Sequence, residues 1–292
     1  MTFMKRVPKK TDYFWILVCG ALLLSSCATP PPHQPKKVQD TPEPMKPEYI
    51  QVALREAERI GQQIWMNEGL AKIENLTIWN KGEEFASLGI GHFIWYPPGR
   101  EGPYTETFPQ LIAFLQQEGV EIPAWLQNTL DAPWKSYEAF KYHEQRQDMG
   151  DLRTLLANTI PQQVQFIIRR LEEALPKMLD TLPTEAQREY VFKQFYRVAK
   201  AANGVYALVD YVNFKGEGIS PSERYQGQGW GLLQVLENMP GDEEANVMAE
   251  FALAAELVLK RRIQNSPPER NESRWFRGWK NRLKTYTYIR EG

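Results

Sequence analysis

Apolar positions along this chain keep a helical rhythm almost throughout and break it in one place. Ile50, Ala53, Leu54, Ala57, Ile60 and Ile64 recur at helical spacing, which predicts an amphipathic helix that ends at Glu68 and a folded part that starts near Pro47. Gly69 follows at once and can stop that helix. The period then changes. Thr77-Ile78-Trp79 and Phe85-Ala86-Ser87-Leu88 are β-prone and flank Asn80-Lys81-Gly82, so a small hairpin is expected over residues 76–90. Gly89-Ile90-Gly91-His92 closes it, with glycines that permit a tight turn or a close approach to a ligand. From Phe108 to Ala202 the helical period returns, with breaks expected at Pro123, Pro133, Pro161 and Pro183. Val164, Ile167, Ile168, Leu171 and Leu175 show it most clearly, as do Tyr190, Val191, Phe195 and Val198. The expected fold class is all-α with one small β-hairpin, in one domain over residues 47–292.

The segment before Pro47 reads as export and tethering. Lys5, Arg6, Lys9 and Lys10 precede an apolar run, Tyr13 to Leu24, that is too short for an ordinary membrane span. The run ends in Leu24-Ser25-Ser26-Cys27, which resembles a bacterial lipobox, so residues 1–26 are expected to be a signal peptide and Cys27 to carry lipid. Ala28 is not aspartate, and by the sorting pattern of such lipoproteins this implies an outer-membrane anchor with the domain facing the periplasm. Residues 27–46 are proline-rich and without apolar period; extended at about 3.1 Å per residue, the tether reaches roughly 60 Å.

Composition narrows the chemistry. The chain has two cysteines, and Cys19 lies in the expected signal peptide, so with Cys27 lipidated the domain has no thiol for a disulfide or a metal. His92 and His143 make no zinc pattern, and neither a metal nor a cofactor is expected. The whole chain holds 35 basic and 36 acidic residues; taking away Lys5, Arg6, Lys9, Lys10 and Asp12 leaves 31 against 35. A mildly acidic body argues against nucleic acid as a partner.

The candidate chemistry centres on Asn67 to His92: a lone carboxylate at a helix end, then a hairpin folded over it. On these residues the chain resembles the phage-type lysozymes, whose pattern is acid-Gly, hairpin, then Thr-hydrophobic-Gly-x-Gly-His. Glu68-Gly69-Leu70 is similar to the acid-Gly-Leu, and Ser87 falls at the family's threonine. Roughly four extra residues lie between Leu70 and Thr77, and Lys81 stands where the family has its second carboxylate. Glu83 and Glu84 lie nearby but out of register; Glu84 is the candidate taken to the site with Glu68 and Ser87. Further weak matches follow in the family's order: Ala207-Leu208 to Asn213-Phe214-Lys215-Gly216, Leu232 to Asn238, and Gly278-Trp279-Lys280-Asn281-Arg282. In the first, aromatic and amide are swapped, which leaves the role of Asn213 open. The helical stretch at about 97–200 is longer than in the compact phage enzymes and reads as an insertion.

The resemblance implies a lysozyme-like fold that cleaves peptidoglycan glycan strands with Glu68 as general acid. His92, Trp95, Tyr96, Asn213 and Gln234 are the substrate-binding candidates, although aromatic faces suit sugar rings and core packing equally. A hydrolase needs a second carboxylate to activate water or act as nucleophile. A lytic transglycosylase does not, because a sugar hydroxyl attacks and one Glu serves as acid and then base. Two alternatives stay open. Glu217, followed by Gly231-Leu232-Leu233-Gln234 and Met239-Pro240, resembles the soluble lytic transglycosylases and would move the acid. A lipoprotein that binds the strands without cutting them is the other.

Overall fold

The computed structural model describes residues 49–102, 104–242 and 244–288, all within the compact unit Met45–Gly292. The expected signal peptide, Cys27, the expected tether over 27–46 and Pro47 lie outside the described residues. Among those described, the chain is mostly helical with a small antiparallel sheet. No helix among them is long and apolar enough to cross a membrane.

Helix α1, Leu54–Gly69, buries Ala57, Ile60 and Ile64 of the stripe expected from its period, whereas Ala53 and Leu54 at its start are exposed. Its end differs from expectation. Gly69 is the last helical residue, and the left-handed positions after it are Leu70 and Ala71, both at φ 52°. Two consecutive non-glycine residues in that region store backbone strain of about 1 kcal/mol or more each, directly behind Glu68.

The expected hairpin is the first part of a three-stranded sheet. Strands β1 (Thr77–Ile78), β2 (Ala86–Leu88) and β3 (Phe93–Trp95) pair antiparallel in chain order, with Ser87 between Ile78 and Ile94. Hence the aromatic run after His92 begins as a strand. The glycines of the Gly89-Ile90-Gly91-His92 turn serve a close approach to protein rather than to a ligand. A Cβ on Gly91 would meet the buried Phe93 ring at 2.6 Å, and one on Gly89 would meet Gln163 and that same ring. Gln163 also accepts the Ile90 N–H at 3.0 Å. Gly91→Ala is therefore expected to destabilise the protein by about 1–3 kcal/mol through overpacking, read as a lower denaturant midpoint. An unchanged midpoint would contradict this packing.

The helical body comprises α2 (Phe108–Gln117), α3 (Ala124–Gln127), α4 (Tyr137–His143), α5 (Gln147–Asn158), α6 (Ile160–Asp180) and α7 (Glu185–Ala199). The break expected at Pro161 falls just before it: α5 ends at Asn158 and α6 begins at Ile160, with Pro161 in the first turn, where its missing N–H costs nothing. α6 also carries Pro176 in its interior. α1 packs along α6, and Arg153 of α5 donates to Thr77 at 2.8 Å, tying the body to the sheet. Helix α8, Gly204–Lys215, is buried on nearly every side from Gly204 to Tyr211, as an almost wholly apolar helix must be. A ribbon not foreseen from the sequence follows, β4 (Arg224–Tyr225) with β5 (Gln228–Gly229). Helices α9 (Leu232–Glu237), α10 (Val247–Asn265) and α11 (Phe276–Lys284) complete the described chain.

Candidate active site

Four parts of the chain meet at Glu68: the last turn of α1, the middle of α8, α11 with the residues after it, and the turn between β2 and β3. The side chain of Glu68 is 20% exposed. One of its oxygens, Oε1, accepts a hydrogen bond from Arg282 Nη2, and the other lies 4.0 Å from His92 Nδ1. His92 holds a left-handed backbone, φ 48°, which brings its ring back over the helix end.

Arg282 is itself fixed from behind. It donates Nε to Asp210 Oδ2 at 2.7 Å and Nη2 to Oδ1 at 2.9 Å, the paired geometry a guanidinium favours. The Asp210 side chain is 0% exposed and also accepts from Tyr286 Oη at 2.7 Å and Asn67 Nδ2 at 3.0 Å. Asn67 further donates to Tyr206 Oη. Burial works to lower the Arg282 pKa, but the Asp210 charge and its hydrogen bonds, with help from Glu68, overcome this and raise it above the ordinary value. Burial first, then the Asp210 charge, pushes the Tyr286 phenol well above its usual range and the Tyr206 phenol up to about 12. Arg282 is thus a permanent cation with a fixed orientation, and Glu68 is the exposed end of its network. Asp210 has four donors upon it and no face left for substrate.

The other predicted residues divide. His92 joins the site. Ser87 does not reach it as an open hydroxyl: it is 7% exposed in the central strand. Glu84 is a surface residue, its side chain 62% exposed and paired with Arg100, so it is not the missing second carboxylate. Trp95 and Tyr96 are buried and correct the substrate-binding expectation. Trp95 is 0% exposed, donates to the Leu130 carbonyl at 2.9 Å and packs on Phe108 and Trp134. Tyr96 packs edge-on against Phe85. Of the two uses an aromatic run can have, this one is core. Gln234 is buried in a structural role: it accepts the Gly231 N–H at 3.0 Å and donates to the Gly218 carbonyl at 3.2 Å. Asn213 is partly buried on the last turn of α8, and its Nδ2 has no partner among the described residues.

Glu217 occupies the loop between α8 and β4, where its carbonyl accepts the Leu233 N–H at 3.0 Å. It is partly buried, and no hydrogen bond reaches its carboxylate among the described residues. Its neighbour Glu223 accepts the Gly218 N–H at 2.6 Å and has its pKa raised by burial, with Glu217 adding to the rise. Arg282 and Asp210 were not singled out in the sequence as site residues, although both lie inside stretches that carry the resemblance. A lone aspartate in the apolar run Tyr206-Ala207-Leu208-Val209-Asp210-Tyr211 was the available signal, since a buried carboxylate requires a partner. Among the described residues no cluster of histidine, cysteine and acidic side chains is suited to a metal ion.

No protein-family model, curated protein or solved structure matches this chain, so its reading rests on the site itself.

Proposed function

We propose that this chain is a lysozyme-like enzyme that cleaves peptidoglycan glycan strands, with Glu68 as the general acid. The observation that carries the reading is the setting of Glu68: a largely shielded carboxylate on a strained helix end, oriented by Arg282, with its second oxygen turned toward His92. An acid fixed on one side and open on the other is placed to give a proton to a glycosidic oxygen. The mostly helical fold with a small sheet beside that acid supports the lysozyme-like assignment. Within this reading the protein is exported, anchored through lipid on Cys27 to the outer membrane, and faces the periplasm.

The residues around Glu68 favour a lytic transglycosylase over a hydrolase. Lys81 is exposed at the turn, Glu84 is paired at the surface, and Asp210 is saturated by its donors. None of the three can act as the water-activating base that a hydrolase needs. In the transglycosylase course, Glu68 protonates the leaving oxygen and then takes the proton of the sugar hydroxyl that attacks. Digestion of purified sacculi, followed by mass spectrometry of the soluble products, tests this. The expected products are anhydro-ended and lighter by one water than hydrolysis products. Reducing ends of ordinary mass would make the enzyme a hydrolase. Retention on sacculi with no soluble product would make it a binding protein.

A further inference from the structure

The last residue of α8 is a lysine in an unusual place. Lys215 Nζ lies 3.9 Å from the centroid of the Phe214 ring and 3.8 Å from that of Trp279. On the same two aromatic side chains rest the guanidinium of Arg282, 4.4 Å from the Phe214 centroid, and that of Arg262, 5.4 Å from the Trp279 centroid. Each arginine has its counter-charge. Arg282 is paired with Asp210 and Glu68, and Arg262 holds both oxygens of the buried Glu272, at 2.7 and 2.9 Å, which Arg270 also reaches. Lys215 has none: among the described residues no carboxylate comes within 4.0 Å of its Nζ. The cluster contains four basic side chains, Lys215, Arg262, Arg270 and Arg282, against three carboxylates, Glu68, Asp210 and Glu272. Lys215 is the basic group with no carboxylate of its own.

We propose that Lys215, between the rings of Phe214 and Trp279, binds a carboxylate carried by the muramyl or peptide part of the substrate, next to the cleaved bond. This rests on the assignment of Glu68 to glycan cleavage. Proximity comes through the chain Glu68–Arg282–Phe214–Lys215, in which each contact is direct. The muramyl residue of a glycan strand bears a lactyl group, and the peptide attached to it bears further carboxylates. An aromatic-walled amine with no carboxylate of its own suits such a group, since the bound anion stabilises its ammonium form and the rings add cation–π attraction to it.

The charged groups facing Lys215 give the site a pH signature. They are Arg262 on α10, Glu272 before α11, Arg282 on α11 and Glu68 on α1. Burial and then the Arg262 charge lower the free amine's pKa to about 6, with Arg282 adding to this and Glu272 and Glu68 opposing it. The unfolded chain keeps this proton up to the ordinary lysine value of 10.5. Between about 6 and 10.5 the unfolded state therefore binds more protons, and this group makes stability rise with pH across that window. Binding of a carboxylate to the ammonium form reverses the shift, so that at neutral pH the Lys215 amine takes up a proton from solvent on binding.

The test is the Lys215 side-chain ¹³Cε resonance of the full chain, assigned by its loss in Lys215→Met and titrated with pH. Three probes are compared: N-acetylmuramic acid, N-acetylglucosamine, which lacks the lactyl carboxylate, and L-alanyl-D-glutamate. Saturating N-acetylmuramic acid should move the midpoint upward by about one unit, a tenfold change in proton affinity, whereas N-acetylglucosamine should leave it in place. A shift with the dipeptide instead would assign the site to peptide carboxylates. Lys215→Met should lose at least about tenfold in affinity for whichever acid binds, while Lys215→Arg retains it. No shift with either acid, or equal affinity in Lys215→Met, overturns the proposal. A carboxylate-dependent shift in a protein that leaves sacculi intact would uphold the site and reject the glycan-cleaving reading separately.

Discussion

Asp210→Ala should cost about 3–5 kcal/mol of folding stability, the largest loss expected from one side chain outside the apolar core. Asp210 is completely buried in the middle of α8 and takes hydrogen bonds from Arg282, Tyr286 and Asn67. Its removal leaves a largely shielded guanidinium with Glu68 as its only acid and a buried Tyr286 phenol without an acceptor, while Asn67 keeps only its bond to Tyr206. The cost arises from those stranded donors more than from the lost attraction, because a buried pair that is broken on one side exposes the full desolvation penalty of the other. Asp210→Asn retains the shape and should lose less than the alanine variant. Tyr286→Phe, which removes one donor along with its own need for an acceptor, should lose least, about 0.5–1.5 kcal/mol. Denaturant midpoints of the three variants check this order. An Asp210→Ala protein within about 1 kcal/mol of the wild type would show that the network is not what fixes Arg282.

Glu68→Gln should reduce cleavage of sacculi at least about a hundredfold with little change in fold. The glutamine keeps the length of the side chain and can accept the same hydrogen bond from Arg282, but it has no proton to give. Glu68 is the partly exposed end of the network, and its loss strands nothing behind it, since Arg282 retains both bonds to Asp210. The effect therefore falls on rate, not on stability, and the two variants separate the parts of the network. Asp210→Ala loses the fold's anchor, whereas Glu68→Gln loses the proposed proton donor. A Glu68→Gln protein that melts far below the wild type would contradict this division.

What the sequence disclosed followed from periodicity. The α1 stripe from Ala57 to Ile64 is a pattern of one helix with itself, and it holds in the structure. So does the change of period at Thr77, because alternation within a strand pair is equally local. The third strand was hidden because Phe93-Ile94-Trp95 is apolar without alternation, with Phe93 and Trp95 both wholly buried. The same feature made Trp95 and Tyr96 look available to a sugar. Whether an aromatic faces solvent or core is decided by Phe108 and Trp134, which arrive from elsewhere in the chain. The site was legible only at Glu68 and His92. Arg282 meets Glu68 across 214 positions, and Asp210 meets Arg282 across 72, distances over which no local pattern carries information. Lys215 was hidden for the same reason: its rings come from α8 and α11 together.

On the proposed mechanism Glu68, and not Glu217, gives the proton. Initial rates of soluble-fragment release from purified sacculi, measured side by side for wild type, Glu68→Gln and Glu217→Gln, test it most directly. Glu68→Gln is expected to fall at least about a hundredfold while Glu217→Gln stays within about tenfold of the wild type. An inactive Glu217→Gln beside an active Glu68→Gln would contradict it and place the acid in the loop between α8 and β4.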